Sequence, residues 1–468
     1  MSRKPGKIAF FVPVLVALFA AGCSVPPPAP KASLEWPAAE RFPGQLDANP
    51  PSGANPGWRD YLASKDLQVL IERALQGNRD LRIARLAVEQ AAATLALRDA
   101  ERYPILGVGV SGSSLPQANG TSLRTVSSGI QLSSWEIDFF GRLASLGEAA
   151  RAQVLASEEA RRAVQLSLVA SVAAAWLNLI ADEELLALTD QTLATREESL
   201  RLTRLRFDNG AASEIDFRQA QSLAEGARAV RAQQQRQRSL NRNALSLLLG
   251  NPGAEVTTGS AARLADVPLA DLPPGLPATV LLARPDVRQA EHLLAAADAN
   301  IDAARAAFLP RVTLTGAFGS LSRELSGLFA GGSWGLTATP ALLAPIFDGG
   351  RNQALLESAK LARAAALTQY ERSIQSGFRE VADALAGRDT LIEQQLAQAR
   401  VVDAERSRLD LAKLRYENGI ASYLDLLDAQ RSLFTASQSL IQTRLQLLQN
   451  QVLLFRSLGG GWRDRAGS

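Results

Sequence analysis

Few side chains in this sequence could carry reaction chemistry. The 468 residues include one histidine and one cysteine, and the histidine, His292, lies in a stretch rich in Ala and Leu. Nucleophilic triads and metal sites need several such groups at defined spacings, and no glycine-rich phosphate loop stands before a helix. The sequence therefore predicts no enzyme and no metal or cofactor site, and His292 is expected to be structural.

The single cysteine, Cys23, ends a segment typical of bacterial export signals. Three basic residues precede the apolar run Ile8–Ala20, which is shorter than the roughly 20 residues of a membrane-spanning helix. Ala20-Ala21-Gly22-Cys23 resembles a lipoprotein processing box, so residues 1–22 are predicted to be a signal peptide and Cys23 to carry a covalent lipid. The alternative for Cys23 is a buried apolar side chain. Ser24 stands where signals against outer-membrane sorting carry Asp, which favours the outer membrane.

Charge and hydropathy further limit the classes of protein to which this sequence could belong. The formal net charge is +3, and the three basic residues of the leader account for all of it. A nucleic-acid partner is therefore not expected, because such proteins carry a basic surface. No later apolar run of about 18 residues is apparent, so no helix is expected to span a membrane.

The sequence from residue 66 onward contains an internal duplication. Tyr103-Pro104 returns as Leu309-Pro310, and Gly141-Arg142 returns 209 positions later as Gly350-Arg351. The motif at 205–210, Leu-Arg-Phe-Asp-Asn-Gly, returns as Leu-Arg-Tyr-Glu-Asn-Gly at 414–419. Such self-similarity marks a duplicated structural unit.

Each copy contains a helix, a strand pair, a very long helix, a tight turn and a second long helix. The predicted organisation is an extended lipid-anchored segment at 23–65, repeats at 66–252 and 284–458, an inter-repeat segment at 253–283 and a tail at 459–468. Within the repeats we expect hairpins at about 104–140 and 310–345, long helices at 143–207 and 351–416, and second helices at 213–249 and 422–457. Leucines at seven-residue spacing, such as Leu426, Leu433 and Leu440, favour coiled-coil packing of these helices.

The strand pairs alternate apolar with small or polar residues. The apolar positions are Val108, Val110, Ile130, Leu132, Val312, Leu314, Phe318, Trp334 and Leu336. This pattern is typical of a barrel wall between lipid and water, and a half-buried soluble sheet is the alternative. Next to an outer-membrane signal, the barrel is the favoured interpretation. Four strands cannot close in a bilayer and eight leave almost no lumen, so a water-filled passage needs at least three chains and twelve strands.

The last helical hairpin identifies a family. Residues 415–419, Arg-Tyr-Glu-Asn-Gly, and the helix start at 423–433 resemble the TolC/OprM outer membrane factors, and Leu458-Gly459-Gly460-Gly461-Trp462 resembles the ending of the OprM branch. The resemblance implies a mainly α fold with transmembrane β: a homotrimer with a twelve-stranded barrel continued by a helical tunnel in the periplasm. It also implies a passive export channel that docks to a periplasmic adaptor and an inner-membrane pump of the resistance-nodulation-division type.

The resemblance further implies a gate at the periplasmic helix turns. It places Asp425 and Asp428 at the constriction, where three chains would form a ring of carboxylates that favours cations. Asp428 and Arg431 have uncharged counterparts in the first copy, which capping cannot explain. Tyr416 matches a constriction tyrosine, and Leu424 is assigned to the same site. The alternative for Asp428 and Arg431 is a solvated surface pair.

The same turns are expected to contact the adaptor. The residues assigned to this docking are Asn209, Gly210, Ala212, Ser213, Asn418, Gly419, Ala421 and Ser422. Small residues allow close approach, although a tight turn needs them in any case. Ser213 with Asp216 and Ser422 with Asp425 also fit capping boxes. Two other functions stay open at this point, an outer channel for secreted proteins and a lipid-anchored periplasmic adaptor or scaffold.

Overall fold

The structure is a computed structural model that describes residues 57–118, 120, 122–253, 263–270, 278–329 and 334–460. Within these ranges the α-helices and strands follow one another as α1 (Trp58–Tyr61), α2 (Lys65–Gly77), α3 (Arg79–Ala100), β1 (Leu106–Pro116), β2 (Ser122–Ile137), α4 (Arg142–Asp208), α5 (Glu214–Leu248), α6 (Pro285–Ala306), β3 (Arg311–Ser322), β4 (Trp334–Leu343), α7 (Arg351–Glu417) and α8 (Tyr423–Ser457). The predicted signal peptide and Cys23 lie outside the described residues.

The duplication is visible in the helix lengths. Helices α4 and α7 have 67 residues each, α5 and α8 have 35 each, and α3 and α6 have 22 each. The two long helices of each copy begin and end 209 positions apart. The predicted repeat is confirmed, and every residue of α4 or α5 therefore has a defined counterpart in α7 or α8.

The chain divides into two compact units that do not coincide with the two repeats. The described residues of the first unit are Ala87–Ser157 and Gln289–Glu371, with a few gaps in the loops. This unit contains one antiparallel sheet in the order β1-β2-β3-β4, in which β2 and β3 join the two repeats. Strands β1 and β4 form its two edges, and each leaves a row of backbone groups available for pairing.

The strand register places the alternating apolar residues on one face. Val108 pairs with Ile130, Ile130 with Phe318, and Phe318 with Leu336, so one row crosses all four strands. Val108 is 86% and Leu336 is 76% exposed in the isolated chain. The neighbouring row on the other face consists of Gly107, Gln131, Ala317 and Thr337. The sheet therefore has one apolar and one small or polar face.

The second unit holds the main hydrophobic core. Its described residues are 57–86, Glu158–Arg288 and Arg372 to 460, apart from the gaps at 254–262 and 271–277. Trp58, Tyr61 and Leu62 belong to this core, although the sequence suggested an extended segment to residue 65. Tyr61 of α1 stacks on Phe455 with ring centroids 4.7 Å apart and donates a hydrogen bond to the Gln451 carbonyl. Burial of these rings is the physical reason that residues 58–61 pack as a helix and are not extended.

Equivalent hydrogen bonds connect the beginning and the end of each repeat. The Asn78 side chain donates to the carbonyl of Leu248 at 3.0 Å, and Arg284 donates to the carbonyl of Ser457 at 2.6 Å. Leu248 and Ser457 are counterparts in the duplication. Arg284 is buried and also forms ion pairs with Asp286 and Glu380.

Helix α4 corrects one expectation about hydropathy. It contains a window long and apolar enough to pass as a membrane span among the described residues, and 56% of that window is buried inside the protein. Residues 163–181 of this helix carry no charge, and Val169, Trp176 and Ile180 are fully buried in the core of the second unit. Packing against the rest of the chain accounts for this apolar stretch.

Candidate functional site at the helix turns

The turns that end α4 and α7 have the same backbone geometry. Gly210 and Gly419 adopt φ of 73° and 72°, the left-handed conformation that favours glycine. Ala211 N–H donates to the Arg206 carbonyl and Gly210 N–H to the Phe207 carbonyl, the pattern of a Schellman cap. The amides of Asn209 and Asn418 each donate to the carbonyl four residues earlier, at 2.7 Å. All four of these docking candidates therefore help to close the turns themselves.

The helices after the turns begin with full capping boxes. The Ser213 hydroxyl accepts from the Asp216 N–H, and the Asp216 carboxylate accepts from the Ser213 N–H. Ser422 and Asp425 repeat this arrangement at the start of α8. The capping prediction for Asp216 is confirmed. Asp425, assigned to the gate, also caps α8, and one of its carboxylate oxygens is engaged there.

Asp428 lies between two arginines. The Arg408 guanidinium of α7 donates to one carboxylate oxygen at 2.5 Å, and Arg431 of α8 donates to the other at 2.7 Å. Hydrogen bonding to Arg408, followed by that to Arg431, lowers the pKa of Asp428 below its ordinary value. Arg408 reaches Glu405 as well. The structure brings together the predicted pair Asp428 and Arg431 and adds Arg408, which ties α8 to α7.

Tyr416 connects the two hairpins of the chain. Its hydroxyl accepts a hydrogen bond from the Arg206 guanidinium of α4 at 2.6 Å. The Tyr416 ring lies 5.5 Å from the ring of Tyr423 on α8. Tyr423 adjoins Thr203 and Ser199 of α4, and burial raises the pKa of its hydroxyl. The gate candidate of the second copy is thus held against the long helix of the first copy.

A buried arginine continues this contact along the helices. Arg196 of α4 is 8% exposed, and its guanidinium lies 5.3 Å from the ring centroid of Phe434 on α8. It donates to the Leu223 carbonyl of α5, and desolvation lowers its pKa. Farther along, Gln449 of α8 donates to Asn178 of α4. Together these residues form one contact surface between α4 and the second hairpin, which we call the internal seam. On α4 it consists of Asn178, Arg196, Ser199, Thr203 and Arg206, and on the second hairpin of Gln449, Phe434, Tyr423 and Tyr416.

Most of the remaining predicted residues are exposed to solvent. Leu424 is 59% exposed in the first turn of α8. Gly210, Ser213, Gly419 and Ser422 are exposed, and Ala212 and Ala421 are half-buried. The described residues contain no cluster of three or more His, Cys, Asp or Glu side chains suited to a metal ion.

Sequence reasoning missed Arg206, Arg408 and Tyr423. Arg408 had a detectable signal, because its first-copy counterpart is Ser199 and it is therefore charged in one copy only, like Asp428. Arg206 had none, since its counterpart Arg415 is also an arginine. Its role depends on which helix it faces, which a single sequence does not reveal.

Comparison with known proteins identifies the class. The family model for outer membrane efflux protein matches residues 70–251 and 276–460. The toluene efflux pump outer membrane protein TtgC of Pseudomonas putida is 40% identical over 97% of this chain and 96% of its own length. The Neisseria gonorrhoeae MtrE outer membrane channel in its open state superposes with a TM-score of 0.83 at 36% identity, over 92% of this chain and 98% of that one. CusC, solved in a study of transmembrane channel formation, gives a TM-score of 0.83 at 38% identity, over 92% and 99%.

The chain therefore belongs to the outer membrane efflux protein family. It is an outer membrane channel component of an efflux system, and its fold is mainly α with transmembrane β, as the sequence predicted. The family consists of channel and transport components.

Proposed function

We propose that this protein is the outer channel of a tripartite efflux system and passively conducts small organic molecules, including drugs and solvents, from a periplasmic adaptor and inner-membrane pump to the exterior. The observation that carries this proposal is the four-stranded sheet with one apolar face and two open edges. A sheet of this kind is stable in a bilayer only as part of a closed barrel. The names of relatives, such as a toluene efflux pump protein, support the substrate class.

The barrel is a homotrimer in this proposal. One chain supplies four strands, and the edge strand β4 of one chain pairs with β1 of the next. Eight strands leave an interior about filled by side chains, so three chains and twelve strands are the smallest set with a water-filled lumen. The small residues on the polar sheet face, such as Gly107 and Ala317, suit a lumen lining.

The helix turns form the closed gate. Asp428 with Arg408 and Arg431, and Tyr416 with Arg206, restrain the second hairpin in the described conformation. Docking of the adaptor and pump, the latter of the resistance-nodulation-division type, replaces these contacts and opens the passage. Leu424 and Asp425 line the constriction, and the turn residues at 209–213 and 418–422 meet the adaptor.

A lipid on Cys23 anchors the mature chain, and we propose no other cofactor. The support is the leader sequence, since Cys23 lies outside the described residues. Mass spectrometry of the mature N-terminus tests this part, and an unmodified Cys23 would contradict it.

The central experiment measures mass and transport together. The detergent-extracted protein is expected to have the mass of three chains by light scattering. Expressed with its adaptor and pump in a host that lacks an outer channel, it should restore resistance to solvents and hydrophobic drugs. A monomer that stays dispersed without detergent, or a trimer that restores no resistance to any of these compounds, contradicts the proposal.

A further inference from the structure

A buried polar stripe on α4 passes through the internal seam. Its members recur every seven residues: Asp182, Thr189, Arg196 and Thr203. Each of them is at most 8% exposed. Seven-residue spacing keeps side chains on one face of a helix that packs as in a coiled coil, and such a face is usually apolar. The face of α4 that carries this stripe is instead polar, although it lies inside the protein.

Helix α8 carries a second polar stripe on the other side of the seam. Its members are also seven residues apart and half-buried: Tyr423, Gln430, Ser437 and Arg444. Tyr423 lies beside Thr203 and Phe434 lies beside Arg196, so α4 and α8 run in opposite directions. Gln430, one helical turn before Phe434, is therefore at the level of Arg196. The two stripes follow the same seam.

Among the described residues, four side chains of the two stripes each have a buried polar atom without a hydrogen-bond partner. These atoms are Nε of Arg196, Oη of Tyr423, Oε1 of Gln430 and Nε of Arg444. The Tyr423 hydroxyl adjoins Thr203 but forms no hydrogen bond of normal geometry to it. A polar group that leaves water without gaining a partner raises the free energy of the folded protein.

Arg196 adds a buried charge to this stripe. Its guanidinium donates to the Leu223 carbonyl at 3.2 Å and lies near the Phe434 ring. The neighbouring carboxylate of Glu197 is bonded to Arg228, and no carboxylate of the described residues lies within ion-pair distance of Arg196. Burial of this charge is therefore not offset by an opposite charge, which makes the closed seam less favourable still.

We propose that the two polar stripes control how readily the internal seam separates, because their unpaired atoms gain water when the second hairpin moves away from α4. The bond from Arg206 to Tyr416 favours the closed seam, whereas Arg196, Tyr423 and Gln430 oppose it. The seam lies within one chain, and only its effect on the gate rests on the proposed function. Apolar side chains in place of the unpaired groups should consequently tighten the seam.

The test measures how often the seam opens in the detergent-extracted full-length protein. Thr203→Cys places a thiol at a position that is 6% exposed, so a water-soluble thiol reagent reaches it only when the seam separates. In this background Gln430→Met removes the unpaired oxygen and keeps an unbranched side chain. It should slow labelling by about tenfold. Protein without Thr203→Cys gives the background from Cys23.

The matched control is Gln221→Met on α5, because Gln221 is the counterpart of Gln430 and its amide oxygen accepts a hydrogen bond from Arg218. This variant should leave the labelling rate unchanged. Tyr423→Phe removes only a hydroxyl and should also slow labelling, which covers the case in which Gln430→Met does not fold. Unchanged or faster labelling in the α8 variants overturns the proposal, since these groups would then be neutral or hold the seam closed. Absence of any labelling at Thr203→Cys overturns it as well, because the seam would not separate.

A second measurement connects the seam to the gate. Arg408→Ala should make the closed channel leak, and adding Gln430→Met should reduce that leak in a planar bilayer. If labelling slows but the leak does not fall, the seam does not control the passage. If Arg408→Ala does not leak, or if light scattering shows a single chain, the gate or the trimer of the proposed function fails, and the labelling rates still decide whether the stripes favour separation.

Discussion

Asp428 is bonded to two arginines, and these are not equivalent. Arg431 lies on the same helix as Asp428, whereas Arg408 reaches it from α7. Only the Arg408 bond resists separation of the two helices at this point. In the proposed gate, Arg408 is therefore expected to contribute more to closure than Arg431.

Replacing Asp428 and Arg431 together by alanine should make the closed channel leak. The double variant removes the carboxylate to which Arg408 is bonded, so the ion pair between α7 and α8 is lost. Conductance of the purified protein in a planar bilayer measures the effect, and Arg408→Ala should raise it more than Arg431→Ala. The control is Glu198→Ala with Arg201→Ala, an exposed ion pair within α4. Wild-type conductance in the Asp428 and Arg431 variant would remove Asp428 from the gate.

The pKa of Asp428 sets the pH range of this contact. Its pKa is lowered in the folded chain, so the contact stabilises the closed state above the ordinary Asp pKa of about 3.9 and is lost only as pH falls through the lowered value. Closed-state conductance should consequently not rise between pH 7 and about 5. Bilayer recordings at both values test this, with the Asp428 and Arg431 variant as reference. An Asp428-dependent rise in conductance at pH 5 contradicts the expectation.

Within the proposed gate, the sequence pointed to Asp428 and Arg431, which differ between the copies, and missed Arg206, which does not. Asp428 and Arg431 were proposed because their counterparts Gln219 and Ser222 are uncharged. Arg206 escaped because arginine occurs at both positions and its partner depends on helix packing. The capping role of Asp425 was predictable, since Ser-x-x-Asp is a local pattern.

At the scale of elements, the ends of α2 and α5 approach so closely that only glycine fits. A Cβ on Gly250 would lie 2.0 Å from the Gly77 carbonyl oxygen, and Gly250 has φ of 73°. Gly253 has a similar φ of 89° but open space around it. Comparing alanine substitutions at Gly250 and Gly253 therefore separates the energetic cost of a left-handed backbone from the cost of a steric clash.

Gly250→Ala is expected to destabilise the protein more than Gly253→Ala. The Gly253 variant bears only the left-handed strain of about 1–2 kcal/mol, whereas the Gly250 variant must also displace the end of α2. Thermal unfolding followed by circular dichroism measures both. Equal losses of stability in the two variants would show that α2 moves without cost.

Most elements were predictable because their signals are periodic. Seven-residue leucine spacing and long proline-free runs gave helices whose observed ends lie close to the expected ones. The helix α1 was not anticipated, because a four-residue helix has no periodicity and depends on the contact of Tyr61 with Phe455. The copy-to-copy contacts were likewise beyond the sequence, since they require the relative positions of four helices.

For the whole molecule, the apolar sheet face determines membrane assembly. Leu336 lies on that face, whereas Thr339 of the same strand points to the other. Leu336→Lys should reduce the amount of protein in the outer membrane, because a lysine facing lipid costs about 2–4 kcal/mol near the bilayer centre. Thr339→Lys should assemble normally, since it faces the proposed lumen.

Membrane fractionation followed by immunoblotting quantifies both variants. If Thr339→Lys is lost from the outer membrane and Leu336→Lys is retained, the lipid and lumen faces have been assigned the wrong way round. If both variants are lost from the outer membrane, the sheet tolerates no added charge on either face. The assignment of lipid and lumen faces would then not explain the loss of Leu336→Lys.

The uncharged stretch of α4 has a consequence for biogenesis. A chain exported through the inner membrane unfolded presents residues 163–181 to the translocation machinery before any core exists to cover them. Polar side chains at Gln165, Ser167, Ser171 and Asn178 interrupt the stretch, and polar residues disfavour lateral insertion of a segment into lipid. We therefore expect these four polar residues to reduce insertion of the stretch into the inner membrane before the protein folds. Replacing them with leucine should strand the chain in the inner membrane, even though much of this helix is buried once the protein has folded.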